Sequence, residues 1–209
     1  MKTPRLTVVA DSSATAGRPL VEVVAEAVRG GAPAVWLREK QVPPCERRAL
    51  AEEIAAVVRA AGASLVASPG PGSDLADAYQ VGAGATVPED GKPLGRSCHD
   101  LVELGRAVRE GCSWATVSPV FVSASKPGYG PPLGLDGLAA MVDAARSAPR
   151  PPSVGAAPDI LALGGVTSAN AAQCLGAGAA GVVVMGAVMA AADVAAEVER
   201  ILNCLEVAG

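Results

Sequence analysis

The stretch Ile160-Leu161-Ala162-Leu163-Gly164-Gly165-Val166 decides the fold, together with a second stretch, Gly181-Val182-Val183-Val184-Met185-Gly186-Ala187. Each is an apolar, strand-like run that ends at glycine and precedes a helix-like segment. In a barrel of alternating strands and helices, the loops after the seventh and eighth strands bind phosphate through backbone N–H groups and a helix N-terminus. Glycine suits such loops because a Cβ atom would hold the backbone away from the phosphate oxygens. The two stretches therefore predict a phosphate site at Gly164, Gly165 and Gly186, and the alternative is a pair of tight turns that bind no ligand.

Short β-type runs alternate with helical patterns along the whole chain, which predicts a parallel sheet built from βαβ units. The predicted strands are residues 6–10, 34–38, 64–67, 84–87, 94–97, 114–118, 160–163 and 181–185. The predicted helices are residues 19–29, 43–61, 74–80, 100–109, 136–147, 168–177 and 193–205. Since eight strands leave few spare residues in a chain of 209, the pattern favours closure of the sheet. We predict an α/β fold, a (β/α)8 TIM barrel, as a single domain over residues 1–209.

The formal net charge of the chain is -4, so charge provides no reason for binding nucleic acid or an anionic membrane. We expect neither partner, and an anionic ligand then needs a local basic site. Residues 160–192 contain no charged side chain, which imitates a membrane span. Thr167, Asn170 and Gln173 interrupt this run, and buried parallel strands have the same apolar character. The segment is therefore interpreted as barrel core.

Five cysteines occur singly, without a CxxC pair or a zinc-type spacing to histidine. An odd number without such a framework indicates reduced thiols in a cytoplasmic protein. Cys98 precedes His99, an order that suggests a nucleophile beside its base. Adjacent strand residues point to opposite faces, however, so Cys98 is interpreted as a buried thiol.

The second predicted strand carries two basic residues toward its C-terminal end. Strand alternation places Trp36, Arg38 and Lys40 on one face. At the mouth of a barrel, Arg38 and Lys40 can bind an anion, arginine through two parallel hydrogen bonds and lysine as a point charge. The alternative is that these two residues form surface ion pairs with Glu39 or Asp11.

Ser97 and His99 share a face at the C-terminal end of the fifth predicted strand, where barrel enzymes place catalytic groups. His99 is the sole histidine of the chain and can transfer a proton or donate a hydrogen bond. The alternative is a residue at a helix N-terminus that only satisfies backbone groups.

A long loop follows Ser118, and loops of this length are typical of lids and binding segments. The hydroxyls of Ser123 and Ser125, followed by Lys126, suit phosphate oxygens. The neighbouring Gly128 would let the loop close over a ligand. A surface loop without a ligand is the alternative.

These segments together resemble the thiamine phosphate synthase family, which includes a thiazole tautomerase, over nearly the whole chain. The matching motifs are Trp36-Leu37-Arg38-Glu39-Lys40 (Q-L-R-E-K in the family), Gly95-Arg96-Ser97-Cys98-His99 (G-x-S-x-H), Ser118-Pro119-Val120-Phe121 (G-P-V-F), Ser123-Ala124-Ser125-Lys126 (T-x-T-K), Leu163-Gly164-Gly165-Val166 (I-G-G-I) and Val183-Val184-Met185-Gly186 (A-V-I-S).

The resemblance implies that the phosphate of a thiazole phosphate binds at Gly164, Gly165, Met185 and Gly186. In the synthase, the Q-L-R-E-K and T-x-T-K segments hold a pyrimidine diphosphate together with Mg²⁺. Diphosphate leaves, and the thiazole nitrogen attacks the pyrimidine cation. The corresponding substrate-binding residues are Trp36, Arg38, Lys40, Ser123 and Ser125. The candidate catalytic residues are His99, Lys126 and Ser97.

Departures from the family pattern argue against a magnesium site. The synthase's Asn-Asp after the third strand is Ala67-Ser68 here, and its G-Q-x-D after the fourth strand becomes Pro88-Glu89-Asp90-Gly91, with the acid about one residue out of register. Because Mg²⁺ prefers carboxylate and phosphate oxygens, we expect no metal and no cofactor. The synthase alternative would need Mg²⁺, with Asp11, Glu89 or Asp90 as ligands. The family's glutamine is Trp36, whose ring would fill space that a pyrimidine needs.

The Gly-Arg-Ser-x-His form and the turn at Val87-Pro88 look more like the tautomerase, which shifts a proton on a carboxythiazole phosphate without a metal. The tautomerase's catalytic histidine falls at Pro119, so the resemblance does not supply the base. The first hypothesis is a tautomerase-like isomerase of thiamine biosynthesis whose partner is a small phosphorylated heterocycle. The alternatives are an active thiamine phosphate synthase, which is a transferase, and a non-catalytic barrel that binds a phosphorylated metabolite or a protein. Barrels of this family often associate, so a homo-oligomer is a further expectation.

Overall fold

Eight parallel strands form a closed barrel in the computed structural model, which describes residues 2–123 and 130–207. The strands are β1 (Leu6–Ala10), β2 (Ala34–Leu37), β3 (Ser64–Ala67), β4 (Ala78–Val81), β5 (Leu94–Cys98), β6 (Trp114–Val117), β7 (Asp159–Leu163) and β8 (Gly181–Val184). Each strand pairs with its neighbours in chain order, and β8 pairs with β1 to close the ring. The predicted (β/α)8 TIM barrel is confirmed.

Helices connect most of the strands on the outside of the barrel. They are α1 (Leu20–Arg29), α2 (Pro44–Ala60), α3 (Leu101–Arg109), α4 (Gly134–Ser147), α5 (Ala171–Gly176), α6 (Gly186–Met189) and α7 (Val194–Val207). Short 3-10 turns lie at Ser12–Ala14 and Ser73–Leu75. The sequence pattern did not predict α6, which begins at the glycine that ends the second apolar stretch.

The strands are buried on both faces, which explains their nearly continuous apolar character. One set of strand side chains fills the barrel interior: Val9, Trp36, Val66, Ala78, Trp114, Leu161 and Val183. The alternate set packs outward against the helices in a larger cluster. The uncharged run at 160–192 contributes β7 and β8 to this core. Within the part of the chain that the structure describes, no helix has the length and apolar character needed to cross a membrane.

The fourth strand lies at Ala78–Val81, so the predicted strand at 84–87 is wrong. The predicted helix at 74–80 is also wrong, since its first residues form the 3-10 turn and its last residues enter the strand. The cause is Gln80, a polar residue that faces the barrel interior and is 1% exposed. Its amide is paired with Trp114, Ser97 and Thr116, so it costs little to bury. A polar side chain at an interior position breaks the apolar alternation that identifies a strand from sequence.

Three of the cysteine thiols, those of Cys98, Cys112 and Cys174, are buried. Burial raises the pKa of Cys98 to about 12 and those of Cys112 and Cys174 to about 11, so all three stay protonated at neutral pH. Cys45 is exposed. We expect iodoacetamide to modify Cys45 in the native protein and to reach the three buried thiols only after unfolding, as read by mass spectrometry of the digested protein. Fast native modification of Cys98 would contradict its interpretation as a buried thiol.

Candidate active site

A cavity of about 370 Å³ opens at the C-terminal ends of the strands, where barrel enzymes hold their substrates. Its volume lies at the lower end of the range for small-ligand pockets. Strands β1, β2, β6, β7 and β8 and the loops that follow them supply the walls. The lining residues used below are Val9, Trp36, Arg38, Ser118, Ser123, Leu163, Gly164, Gly165, Met185 and Gly186.

The two glycines after β7 form one wall of this cavity. Gly164 and Gly165 have φ values of +96° and +65°, in the left-handed region that favours glycine. Neither these glycines nor Gly186 donates its amide hydrogen to a backbone carbonyl within residues 2–123 and 130–207. Since these residues line the cavity, their amides are placed to bind an anion.

The loop after β6 packs directly on these glycines. Val120 N–H donates to the Leu163 carbonyl and Phe121 N–H donates to the Gly164 carbonyl, both over 2.9 Å. A Cβ atom on Gly164 would lie 2.8 Å from Pro119 Cα, which is closer than real contacts allow. The two loops are therefore held together by backbone contacts that only glycine permits at this position.

Trp36, which is 5% exposed, lines the cavity from the end of β2. Its indole Nε1–H donates to Ser68 Oγ over 3.0 Å, across the ends of β2 and β3. Ser68 corresponds in sequence to the aspartate of the family's Asn-Asp motif. A tryptophan in place of glutamine and a serine in place of aspartate thus form one contact. This contact joins the ends of β2 and β3.

Arg38 lines the cavity and is paired with Asp11 at the end of β1, with Nη1 2.7 Å from Oδ2. The same carboxylate accepts the Ser13 amide hydrogen over 3.1 Å, so Asp11 is held by several donors. The ion pair with Asp11, one of the two alternatives for Arg38, is therefore present while Arg38 still faces the cavity. Lys40 is exposed on the rim and does not line the cavity.

Ser97 and His99 lie apart from the cavity wall. Ser97 is half-buried and accepts a hydrogen bond from Gln80 Nε2 over 3.1 Å. His99 Nδ1 is 2.8 Å from Glu103 Oε2, and the same oxygen accepts the His99 backbone N–H over 2.6 Å. The histidine ring and backbone are thus both joined to Glu103 in the first turn of α3.

The loop after β6 contributes Ser123 to the cavity wall. Ser125 and Lys126, the other two residues predicted from this loop, lie outside the described residues.

The acids named for a magnesium site in the synthase alternative, Asp11, Glu89 and Asp90, do not form a metal-binding group within the described residues. Because β4 ends at Val81, the counterpart of the family's G-Q-x-D is Gly82-Ala83-Gly84-Ala85, which carries no acid. The predicted counterpart at residues 88–91 is therefore wrong. Asp90 accepts a hydrogen bond from the hydroxyl of Tyr79, whose side chain packs in the cluster outside the barrel. Glu89 is exposed. Over residues 2–123 and 130–207, no group of three His, Cys, Asp or Glu side chains could hold a metal ion.

Sequence reasoning missed two contributions to this region. Gln80 falls within the helix predicted at 74–80, which conceals its place in the barrel. Its alternation with Ala78 is the pattern of a strand and could have identified it. Ser118 lines the cavity but was treated only as the start of a loop. Its position at the C-terminal end of β6, on the same face as Trp114 and Thr116, would have identified it.

Comparison with known proteins identifies relatives along nearly the whole chain. A family model described as thiamine monophosphate synthase matches residues 6–70 and 72–188. The thiamine-phosphate synthase of Roseiflexus castenholzii is 36% identical over 196 residues, which cover 89% of this chain and 81% of that protein. The thiamine-phosphate synthase of Chloroflexus aurantiacus is 36% identical over 211 residues, which cover 94% of this chain and 90% of that protein.

Solved structures give a consistent result. The thiamine phosphate pyrophosphorylase of Pyrococcus furiosus superposes with a TM-score of 0.79 and 26% identity, over 98% of this chain and 96% of that one. The names of these relatives support the synthase alternative more than the tautomerase-like hypothesis.

Proposed function

Because the chain belongs to the thiamine monophosphate synthase family, a family of enzymes, we propose that it binds a thiazole phosphate in the 370 Å³ cavity and acts on it without a metal ion. The relatives support membership in thiamine biosynthesis. Our proposal goes further in two respects: the ligand is a thiazole phosphate, and the reaction uses no metal ion.

The hydrogen bond between Trp36 and Ser68 carries the proposal. In a synthase of this family, two substrates and Mg²⁺ share the mouth of the barrel. Here the indole ring contacts Ser68 at the ends of β2 and β3, and in sequence Ser68 and Ala85 take the positions at which the family carries carboxylates. A hydroxyl and a methyl group cannot replace two carboxylates as magnesium ligands. The remaining cavity suits one small ligand better than two.

The other walls of the cavity support a phosphorylated heterocycle as that ligand. The amides of Gly164, Gly165 and Gly186 provide donors for a phosphate group. Val9, Trp36 and Leu163 offer an apolar surface for a flat ring. Arg38, which also lines the cavity, supplies a positive charge, and its pairing with Asp11 fixes its direction.

The reaction that follows from this proposal is a proton shift on the bound ring, as in the tautomerase-like hypothesis. Arg38 is the one ionisable side chain among the described lining residues, and a guanidinium does not release its proton at neutral pH. The base must then come from outside the described lining, and the two candidates that we propose are Asp11, the carboxylate paired with Arg38, and Lys126, the candidate named from sequence. The variants Asp11→Asn and Lys126→Met separate these two assignments.

A thiamine phosphate synthase is the second candidate, and the names of the relatives favour it. It differs from the first candidate in needing a pyrimidine diphosphate as a second substrate. The two candidates therefore give opposite results in one assay.

We expect the purified protein to convert a carboxythiazole phosphate to its aromatic tautomer, with a rate that EDTA leaves unchanged, as followed by ultraviolet absorbance. We also expect no diphosphate release from a mixture of the pyrimidine diphosphate, thiazole phosphate and Mg²⁺. Magnesium-dependent diphosphate release would overturn the first candidate and establish the second.

The triple variant Trp36→Gln, Ser68→Asp, Ala85→Asp restores the residues that the family carries at these three positions. This variant is expected to bind Mg²⁺ more tightly than the wild type in a calorimetric titration, because it regains two carboxylates and the space beside them. Equal magnesium binding by the two proteins would contradict the explanation based on these three positions.

A further inference from the structure

Three consecutive backbone amides in the loop after β7, those of Gly164, Gly165 and Val166, have no acceptor in the part of the chain that the structure describes. The next amide, that of Thr167, donates to Asn170 Oδ1 over 2.8 Å. Val166 is 4% exposed, and buried N–H groups in folded proteins almost always have a partner. The Val166 amide therefore marks a place for an acceptor that the described chain does not supply.

Val166 presents its backbone to the cavity. Its side chain belongs to the large cluster that packs outward against the helices. The residue nevertheless lines the cavity. The backbone is therefore the part of Val166 that forms the cavity wall, and its N–H is the group there that can donate to a phosphate oxygen.

Asn170, the residue before α5, holds this part of the loop from outside the cavity. Its Nδ2 donates to the Gly165 carbonyl over 3.0 Å, while its Oδ1 accepts the Thr167 N–H. A carbonyl can only accept and a backbone N–H can only donate, so the two contacts fix which end of the amide is the oxygen. Asn170 is partly buried and is not among the residues that line the cavity.

The contact with Asn170 sets the direction of the Val166 N–H. The Gly165 carbonyl and the Val166 N–H belong to one planar trans peptide, in which the two groups point in opposite directions. Because the carbonyl is bound to Asn170, the N–H points away from that side chain, toward the cavity that Val166 lines. Glycine allows the backbone to rotate freely, so a peptide that follows two glycines needs such an anchor to keep its direction.

We propose that Asn170 is a positioning residue for ligand binding: it holds the Gly165–Val166 peptide so that the Val166 N–H donates to the phosphate group of the ligand. This inference rests on the proposed function, which places a thiazole phosphate in the cavity. It adds one amide to those of Gly164, Gly165 and Gly186. Asn170 itself does not touch the ligand.

The wild-type protein tests the amide directly. In proton–nitrogen correlation spectra recorded during a titration with hydroxyethylthiazole phosphate, we expect the Val166 amide proton to move downfield, because a charged oxygen accepts it. A Val166 resonance that stays in place while those of Gly164 and Gly165 move would overturn this inference alone. If no resonance of the cavity wall moves, the proposed function is overturned and this inference falls with it.

The variant Asn170→Ala tests the positioning role. Without the anchor the Gly165–Val166 peptide can rotate, so we expect the affinity for hydroxyethylthiazole phosphate to fall about tenfold in a calorimetric titration. The downfield movement of the Val166 amide proton is expected to shrink in the same variant. Gln173→Ala is the matched control, because it removes an exposed amide side chain from α5, and it is expected to bind within about twofold of the wild type. Equal affinities of the two variants would overturn the role of Asn170.

A second ligand separates positioning from a general loss of structure. Hydroxyethylthiazole lacks the phosphate, so its binding does not use the Val166 N–H. We therefore expect Asn170→Ala to change the affinity for this alcohol by less than about twofold. An equal loss for both ligands would show that the variant damages the whole cavity, and the positioning role would be refuted.

If Asn170→Ala does not accumulate as folded protein, Asn170→Ser takes its place. Serine is favoured before the first residue of a helix, but its side chain is too short to reach the Gly165 carbonyl. The same selective loss of affinity for the phosphorylated ligand is expected, and wild-type affinity in this variant would contradict the proposal.

Discussion

Replacing Gly165 with alanine is expected to reduce the affinity for hydroxyethylthiazole phosphate by at least about a hundredfold. The residue has a φ of +65°, which costs an L-residue about 1–2 kcal/mol. Its new Cβ would also collide with the Val122 carbonyl oxygen and lie 2.8 Å from Phe121 Cβ. The backbone must therefore move, and the amides of the cavity wall move with it. Binding is measured by calorimetric titration.

Gly62→Ala is the matched control for this experiment. Gly62 has a φ of +70°, so alanine meets the same backbone strain there. A Cβ atom at this position would meet no other part of the chain within 4 Å, and the residue follows α2, away from the cavity. We expect the control to lose a similar amount of stability from strain and to bind the ligand like the wild type. Wild-type affinity in Gly165→Ala would contradict the role of this loop as a phosphate site.

Replacing Arg96 with methionine is expected to lower the free energy of unfolding by about 3–5 kcal/mol. Arg96 is 0% exposed and is paired with Glu110, with Nε 2.6 Å from Oε2. Its Nη1 donates to the carbonyls of Gly82 and Ala83, over 2.8 Å and 2.7 Å, and Nη2 donates to that of Ala85 over 3.0 Å. These carbonyls belong to the loop after β4, where no helix lies between β4 and β5 in the described chain. Removing the guanidinium leaves the carbonyls without their main partner.

Urea unfolding followed by tryptophan fluorescence measures this loss. Arg109→Met is the control, because Arg109 is an exposed arginine at the end of α3, next to Glu110, and should change stability by less than about 0.5 kcal/mol. If Arg96→Met does not accumulate as folded protein, Arg96→Lys serves instead, since it keeps the charge but cannot reach all three carbonyls. Equal stability of the Arg96 and Arg109 variants would refute the role assigned to Arg96.

The sequence predicted seven of the eight strands at nearly the correct positions, because strands buried on both faces leave a simple apolar signal between turn residues. It also predicted the glycines of the cavity wall, since an apolar strand that ends in Gly164-Gly165 before a helix is the pattern of a phosphate-binding loop. The fourth strand escaped detection because Gln80 occupies an interior position. That error also moved the counterpart of the G-Q-x-D motif to residues 88–91 and concealed the loss of its acid.

Which side chains meet across the mouth depends on neighbouring strands and not on neighbouring residues. Alternation along β2 predicted that Trp36 and Arg38 face inward, but it left open what they contact. Register decides this, because Trp36 is paired with Val66 on β3 and Val9 on β1. Trp36 therefore reaches Ser68, and Arg38 reaches Asp11.

By itself, the amino-acid sequence determined the barrel, the glycine loops that follow β7 and β8, and the family, because these depend on local periodicity and on glycine at defined places. The tertiary structure alone decided that Trp36 and Ser68 close one side of the mouth and that Gln80 lies beneath Ser97. Such contacts join residues 17 to 32 positions apart. Local patterns carry no information on partners at that separation, since ring closure and strand register bring them together.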